Sequence, residues 1–272
     1  PPLDNPLVRH AISSLIDRDA IVQLAYEGTT IPAEGVWPSY DAMTPYMDAV
    51  SDIYAENPVG YDPERAAALF EEAGVEPGDI TLRYTVNTDS NEDVRVSQVV
   101  ADQLSAAGIN VQVEQMTAAA REPLLLTGDY DISFQAFCPG YLAENLELFH
   151  SKFYVPLGEN APWYERNSFR YQNTEFDAIV DQMLATPPDD QETLIGLFQQ
   201  AMAIWVPDLP VIPLVQAPAL VPFNGTYWQG WPTAADPWNM PVSWWANFNL
   251  VLSGYPSTET GEWVGGIAPV GS

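Results

Sequence analysis

Apolar positions recur with helical spacing over residues 6–26. Leu7, Ala11, Ser14 and Leu15 share one face, and Ile21, Val22 and Ala25 resume it after the Asp17-Arg18-Asp19 interruption; Gly28 ends the pattern. Residues 29–60 are rich in Pro, Gly, Tyr and Trp and show no period, which predicts a long ordered loop. Asp62-Pro63-Glu64 then combines a side-chain cap, a first-turn proline and an acid at the positive end of the helix dipole. A helix from there runs through Ala73 to Gly74.

The period switches at Ile80. Ile80, Leu82, Tyr84 and Val86 alternate with polar residues as a strand does. Ser90-Asn91-Glu92-Asp93 opens a helix carrying Val96, Val99, Val100 and Leu104, closed by Gly108, and Ile109, Val111 and Val113 form a second strand. A helix at about 117–126 ends at Gly128, and Tyr130 to Phe137 reads as a third strand. Strand–helix–strand–helix–strand order predicts an α/β layer with parallel strands. Two amphipathic helices follow, with stripes Phe176, Ile179, Val180, Met183, Leu184 and Leu194, Leu197, Phe198, Ala201, Met202, Trp205. Pro207 is expected to end the second, and Leu209–Val215 and Ala219–Phe223 read as proline-punctuated edge strands.

Beyond Asn224 the composition changes. Residues 224–272 hold no Lys, Arg or His and only Asp236, Glu259 and Glu262 as acids, a charge of −3 against −28 for all 272 residues. A boundary near 222–226 divides an acidic lobe, 1–223, from a tryptophan-rich tail, 224–272. A surface so negative opposes nucleic-acid and anionic-membrane partners. At 12% aromatic residues the chain is expected to fold rather than remain disordered. No apolar run is long enough to span a membrane, and the first residue, Pro1, predicts a processed end or a fragment boundary.

Chemistry-bearing patterns are sparse. His10 and His150 stand far apart, and the single cysteine, Cys138, excludes an internal disulfide and any multi-cysteine metal site, so no metal or cofactor is expected. Asp89-Ser90-Asn91-Glu92-Asp93 has the opening of a calcium loop but Val94 and Val100 where its glycine and glutamate belong; a helix N-terminus with solvated acids is expected instead. Neither a nucleophile elbow nor a phosphate-binding glycine loop occurs, and a Cys138–His150 pair is not expected to be catalytic. Thirty-seven acids leave paired carboxylates for glycoside hydrolysis open as an alternative.

The informative segment is the tail. Trp228, Trp231, Trp238, Trp244 and Trp245, five of the nine tryptophans, are interleaved with Gly, Pro, Asn, Asp and Thr rather than spaced as a helix stripe. Flat rings bury the C–H faces of sugars while neighbouring polar groups bind hydroxyls; the alternative is that they pack a core.

Several stretches together resemble the C-terminal half of family 5 extracellular solute-binding proteins, the dipeptide/oligopeptide/nickel receptors of ABC importers. They are Val8-Arg9-His10-Ala11-Ile12 with Asp17-Arg18-Asp19-Ala20-Ile21, then Gly28, Pro32 and Gly35; Tyr61-Asp62-Pro63-Glu64-Arg65-Ala66 and Glu72-Ala73-Gly74; Leu104 to Val113; Gly128-Asp129-Tyr130-Asp131; and Asp208-Leu209-Pro210-Val211-Ile212-Pro213-Leu214. The resemblance implies a periplasmic-binding-protein-like α/β lobe, type II, with a mixed sheet flanked by helices, and a tail returning to a first lobe not in this chain. It also implies a periplasmic or extracellular receptor that binds without chemistry, closes over its ligand and delivers it to permease subunits. An N-terminal region outside this chain would tether or export it.

Peptide-binding members carry an acid after the third strand for the peptide's α-amine; here Gly140 of Phe137-Cys138-Pro139-Gly140-Tyr141 stands at that position. The run Gly230-Trp231-Pro232-Thr233-Ala234-Ala235-Asp236-Pro237-Trp238 looks like that of oligosaccharide-binding members such as cellobiose receptors. The expected ligand is therefore a β-linked di- or oligosaccharide, with an oligopeptide as the alternative. Expected stacking contacts are Trp37, Tyr40, Phe137, Tyr141, Trp163, Trp228, Trp231 and Trp245, with Asp236, Asn239 and Asn247 binding hydroxyls.

Overall fold

Helix-capping chemistry sets the first elements of the computed structural model, which describes residues 2–37, 43–136, 142–161, 167–216, 223–233, 250–257 and 260–271. Asn5 caps α1 (Pro6–Leu15) by accepting from Leu7 N, and Asp17 caps α2 (Arg18–Tyr26) by accepting from Ala20 N. The Asp17-Arg18-Asp19 interruption is thus a second helix start. Strand β1 (Ile31–Pro32) follows, then two short helices, α3 (Thr44–Ala49) and α4 (Ser51–Glu56), inside the stretch whose lack of period predicts a loop. Six residues are too few for a period to show. Asp62 caps α5 (Pro63–Ala73), and Gly74 closes it in the left-handed conformation.

The α/β layer has the expected order. Strand β2 (Thr81–Asn87) leads through α6 (Asn91–Ala106) to β3 (Asn110–Met116), then through α7 (Ala118–Thr127) to β4 (Ile132–Ser133). The sheet order is β3-β2-β4 and both pairings are parallel, with Tyr84 opposite Val113 and Ile132. As the central strand, β2 buries Leu82, Tyr84 and Val86 together with Thr85 on its other face. Edge strand β3 leaves Val113 exposed. Strand β4 pairs over two residues only, so most of the Tyr130–Phe137 segment lies outside the ladder.

Helix α8 (Leu142–Glu147), too short to betray itself by period, precedes α9 (Thr174–Ala185) and α10 (Gln191–Asp208). The predicted stripe of α10 is buried throughout; that of α9 is buried except Leu184, which is exposed. Pro207 lies inside the last turn of α10 rather than before it, and Leu209 ends the helix in the left-handed conformation. The expected strand Leu209–Val215 shrinks to β5 (Val215–Gln216), paired antiparallel with β1 apart from the parallel sheet. Pro210 and Pro213 lack ladder donors, and arginines occupy the carbonyls of this run. Arg9 Nε donates to Asp208 O and Leu209 O (2.9 and 3.1 Å), and Arg18 Nε to Pro213 O (2.8 Å). The expected strand Ala219–Phe223 falls on residues 217–222, outside the described set.

Two hydrophobic clusters fill residues 2–216. One joins α1, α2, α6 and β2 through Val8, Ile12, Ile21, Leu82, Tyr84, Val96 and Leu104; the other joins α3 and α8–α10 through Tyr46, Leu146, Phe176, Phe198 and Trp205, and Ile212 packs against both. Helix α1 is covered on several sides, so its buried set is Val8, Ala11 and Ile12 with His10, Ser13 and Ser14, rather than the single predicted face. Ser13 Oγ donates to Val59 O and Asp62 N to Ser14 O, which tie α1 to the segment before α5.

The chain divides into two compact units, Pro1–Ala217 and Pro218–Ser272. In the second, β6 (Trp228–Gln229) pairs antiparallel with β9 (Ala268–Pro269), and β7 (Tyr255–Pro256) with β8 (Trp263–Val264).

Candidate functional site

Sheet order singles out one edge. From β2 the chain adds β3 on one side, then crosses to add β4 on the other, so the order reverses at β2. In open parallel sheets, ligands bind outside the carboxyl ends of the strands at such a reversal. Here those ends carry Asn87 and Thr88 after β2, Met116 and Thr117 after β3, and Phe134, Gln135 and Ala136 after β4. Thr88 N donates to Met116 O at 2.8 Å, fastening two of these exits together.

Two helices begin at the same edge. Ser90 Oγ accepts from Asp93 N at 3.1 Å to cap α6, and Thr117 Oγ1 accepts from Ala120 N at 3.3 Å to cap α7. Asp89 Oδ2 accepts from Ala118 N at 2.9 Å. The segment that opens like a calcium loop is a helix start, as expected, but its acids are not all solvated: Asp89 caps α7, Glu92 accepts from the Tyr26 hydroxyl and Asp93 is buried. Helix N-termini present partial positive charge and favour ligand oxygens nearby.

Beneath the edge lies a buried ion pair. Asp93 is 3% exposed and its Oδ2 accepts from Arg121 Nη1 at 2.7 Å and from Asn87 N at 3.2 Å, while Oδ1 accepts from Ser97 Oγ at 3.0 Å. Burial raises the Asp93 carboxyl above its ordinary range, and Arg121, Ser97 and the Asn87 amide pull it back. Arg121 Nη1 also reaches Phe134 O (3.1 Å) and Ser133 Oγ (3.3 Å). Neither Asp93 nor Arg121 stands out by spacing. The available signal was scarcity: Arg121 is one of nine basic residues in a chain of charge −28, placed after Ala118-Ala119-Ala120.

Elsewhere, a cavity of about 350 Å³ is lined by Asp17, Arg18, Asp19, Glu34, Tyr54 and Tyr61 among others. Its guanidinium is committed: besides Pro213 O, Arg18 donates to Ser13 O, Ile16 O and Ser13 Oγ, and burial lowers its pKa to about 10. Asp17 is committed as the cap of α2.

Of the expected ligand contacts, Trp37 belongs to the core. It is 5% exposed and meets Phe198 edge-on, ring centroids 5.1 Å apart, so it offers no open face to a sugar. Trp228 is 45% exposed, and its carbonyl accepts from Trp231 Nε1 at 3.2 Å. Trp231 stacks on Phe223 with centroids 4.6 Å apart and planes 11° from parallel. Tyr40, Phe137, Tyr141, Trp163, Asp236, Asn239, Trp245 and Asn247 lie outside the described residues, as do Cys138 and Gly140.

Both histidines have protein partners. His10 is buried against the end of α10, and His150 Nδ1 accepts from Lys152 N at 3.0 Å with Asp181 Oδ1 3.3 Å from Nε2. Among the described residues no group of three or more His, Cys, Asp or Glu is arranged to hold a metal ion, and no helix is long and apolar enough to cross a membrane.

Residues 1–150 match the sequence profile described as bacterial extracellular solute-binding proteins, family 5 middle region. The chain is 31% identical over 217 residues to the glutathione-binding protein GsiB of Escherichia coli (strain K12), an alignment covering 79% of this chain and 40% of that protein. It thus spans about 40% of the length of the curated relatives it matches. Among solved structures, the mannohexaose-bound periplasmic oligopeptide-binding protein of Thermotoga maritima superposes with a TM-score of 0.73 at 23% identity, over 100% of this chain and 50% of that one. DppA of Helicobacter pylori, in complex with the peptide STSA, superposes with a TM-score of 0.63 at 21% identity, over 78% and 38%. These structures share its fold, and by its sequence the chain belongs to the family 5 bacterial extracellular solute-binding proteins.

Proposed function

We propose that this chain is part of the substrate-binding component of an ABC importer, which captures an oligosaccharide at the carboxyl edge of the parallel sheet and releases it unchanged to permease subunits. Family membership carries the proposal. The protein works outside the cytoplasmic membrane, in the periplasm or extracellular space. The ligand lies between this lobe and a first lobe supplied outside these residues, and hinge closure over it completes the site.

The sugar assignment rests on two features. Gly140 removes the carboxylate that would pair a peptide's α-ammonium, and an unpaired ammonium in a desolvated site costs several kcal/mol. The tail is also rich in aromatic residues, whose flat rings suit the C–H faces of sugars. Trp228 presents an exposed ring, and Trp231 has one face covered by Phe223. Tyr40, Phe137, Tyr141, Trp163 and Trp245 extend the proposed stacking set, with Asp236, Asn239 and Asn247 for hydroxyls. The mannohexaose held by the Thermotoga maritima protein supports this class of ligand.

A second reading, a receptor for glutathione or short peptides, is favoured by the 31% identity to GsiB. Calorimetric titration of the intact protein with cellobiose, mannohexaose, glutathione and di- to pentapeptides separates the two. Saturable heat with a sugar is expected; heat with glutathione or peptides alone overturns the sugar assignment, and turnover of the sugar overturns the non-catalytic one.

A further inference from the structure

We propose that Arg121 is a positioning residue: clamped by Asp93, it fixes the direction in which the chain leaves β4 and so sets ligand affinity at the carboxyl edge. This rests on the reading of that edge as the ligand site.

The geometry is unusual in its economy. Strand β4 has two ladder residues, Ile132 opposite Tyr84 and Ser133 opposite Thr85, and residues 134–136, which follow it, are in no strand. The next carbonyl, that of Phe134, accepts from Arg121 Nη1 at 3.1 Å, and the same nitrogen reaches Ser133 Oγ at 3.3 Å. Ser133 Oγ in turn donates to Thr85 O at 3.3 Å, back on β2. Arg121 acts from α7, so it joins the helix to the exit of a strand that the ladder holds only briefly.

Asp93 makes the clamp rigid. A guanidinium has many rotamers, and holding one nitrogen on two acceptors at a strand end requires a third fixed point. Asp93 supplies it at 2.7 Å from the first turn of α6. Its own orientation is set by Asn87 N at the end of β2 and by Ser97 Oγ one turn along α6. One carboxylate and one guanidinium therefore couple β2, α6, α7 and the chain leaving β4. The pair is almost wholly buried, with side chains 4% and 12% exposed, so salt screens it little.

A charge left alone by a single substitution would destabilise the lobe for reasons unrelated to ligand. The test therefore compares Arg121→Gln with the double variant Asp93→Asn/Arg121→Gln, which restores a neutral hydrogen-bonding pair, both in the intact protein. Amide exchange is followed at Phe134, Gln135 and Ala136, with α9 and α10 as internal references, beside the thermal midpoint and calorimetric affinity for cellobiose, mannohexaose and glutathione. In the double variant, exchange at 134–136 is expected to rise about tenfold while the references and the midpoint hold. Affinity for whichever probe binds the parent protein is expected to fall about tenfold with it.

Unchanged exchange at 134–136, or a uniform rise across the lobe, overturns the proposal. Faster local exchange with unaltered affinity also overturns it. Failure of every probe to bind the parent protein counts against the ligand assignment alone, since the exchange measurement decides the clamp without any ligand.

Discussion

His10 Nε2, on α1, lies 3.0 Å from the carbonyl oxygen of Val206 and 3.1 Å from that of Pro207, in the last turn of α10. The ring donates to the free end of a helix 196 residues away in sequence, where backbone carbonyls lack intrahelical partners. Arg9 completes the cap with bonds to Asp208 O and Leu209 O. Two adjacent residues of α1 thereby hold the end of α10.

Burial lowers the His10 pKa below 6.5, opposed by the two carbonyls and reinforced by Arg65 and Arg9. Between the folded value and 6.5 the unfolded chain binds a proton that the folded one does not. This contribution to stability is present above about pH 6.5 and is lost as pH falls toward the folded value. The urea midpoint is expected to drop between pH 7.5 and 5 more steeply for the parent protein than for His10→Gln. Parallel pH profiles would contradict this.

Gly128 closes α7 at φ +74°, and a Cβ there would stand 2.5 Å from the Arg170 guanidinium. Arg170 is not free to withdraw without loss, because it donates to Leu126 O and Ser168 O. Gly74 has φ +66° with nothing within 4 Å of a Cβ. Gly74→Ala should cost about 1 kcal/mol from backbone strain alone. Gly128→Ala should cost more, about 2–3 kcal/mol, because the displaced guanidinium adds to the strain. Equal costs in urea denaturation would contradict the contact.

Trp37 fills the core between α3 and α10, edge-on to Phe198. Trp37→Ala is expected to destabilise by about 3–5 kcal/mol, as large aromatic truncations in cores do. Unchanged stability with lost ligand affinity would return this ring to the binding site.

Arg83 and Asp129 form an ion pair at 2.9 Å with side chains 36% and 62% exposed. The hydrogen bond to Asp129 raises the Arg83 pKa, yet solvent screens the pair. Asp129→Asn is expected to change stability by less than about 1 kcal/mol, and by less still in high salt. A larger loss would show the pair to be structural.

Local chemistry made much of the fold legible. Asp62-Pro63 and Ser90 announce α5 and α6 because a cap is a contact between near neighbours in sequence. The alternation at Ile80–Val86 marks β2 because Ile80, Leu82, Tyr84 and Val86 enter one core cluster with α1, α2 and α6. Helices α3, α4 and α8 escaped because six residues make less than two turns. The run after α10 misled because its continuous apolar residues read as a strand while its carbonyls bond to Arg9 and Arg18, partners nearly 200 residues distant. The Asp93–Arg121 clamp was invisible for the same reason: 28 residues and a strand separate the two, and no spacing rule links them. The aromatic residues proposed as ligand contacts stand out by composition, which names residue types but not the faces they expose.

The most direct test of the account is native mass spectrometry of the intact protein equilibrated with a mixture of cello-oligosaccharides, mannohexaose, glutathione and short peptides. One oligosaccharide bound per protein is expected, with the free and released sugars at their starting masses. A complex containing only glutathione or peptide, or sugars shortened on incubation, would contradict it.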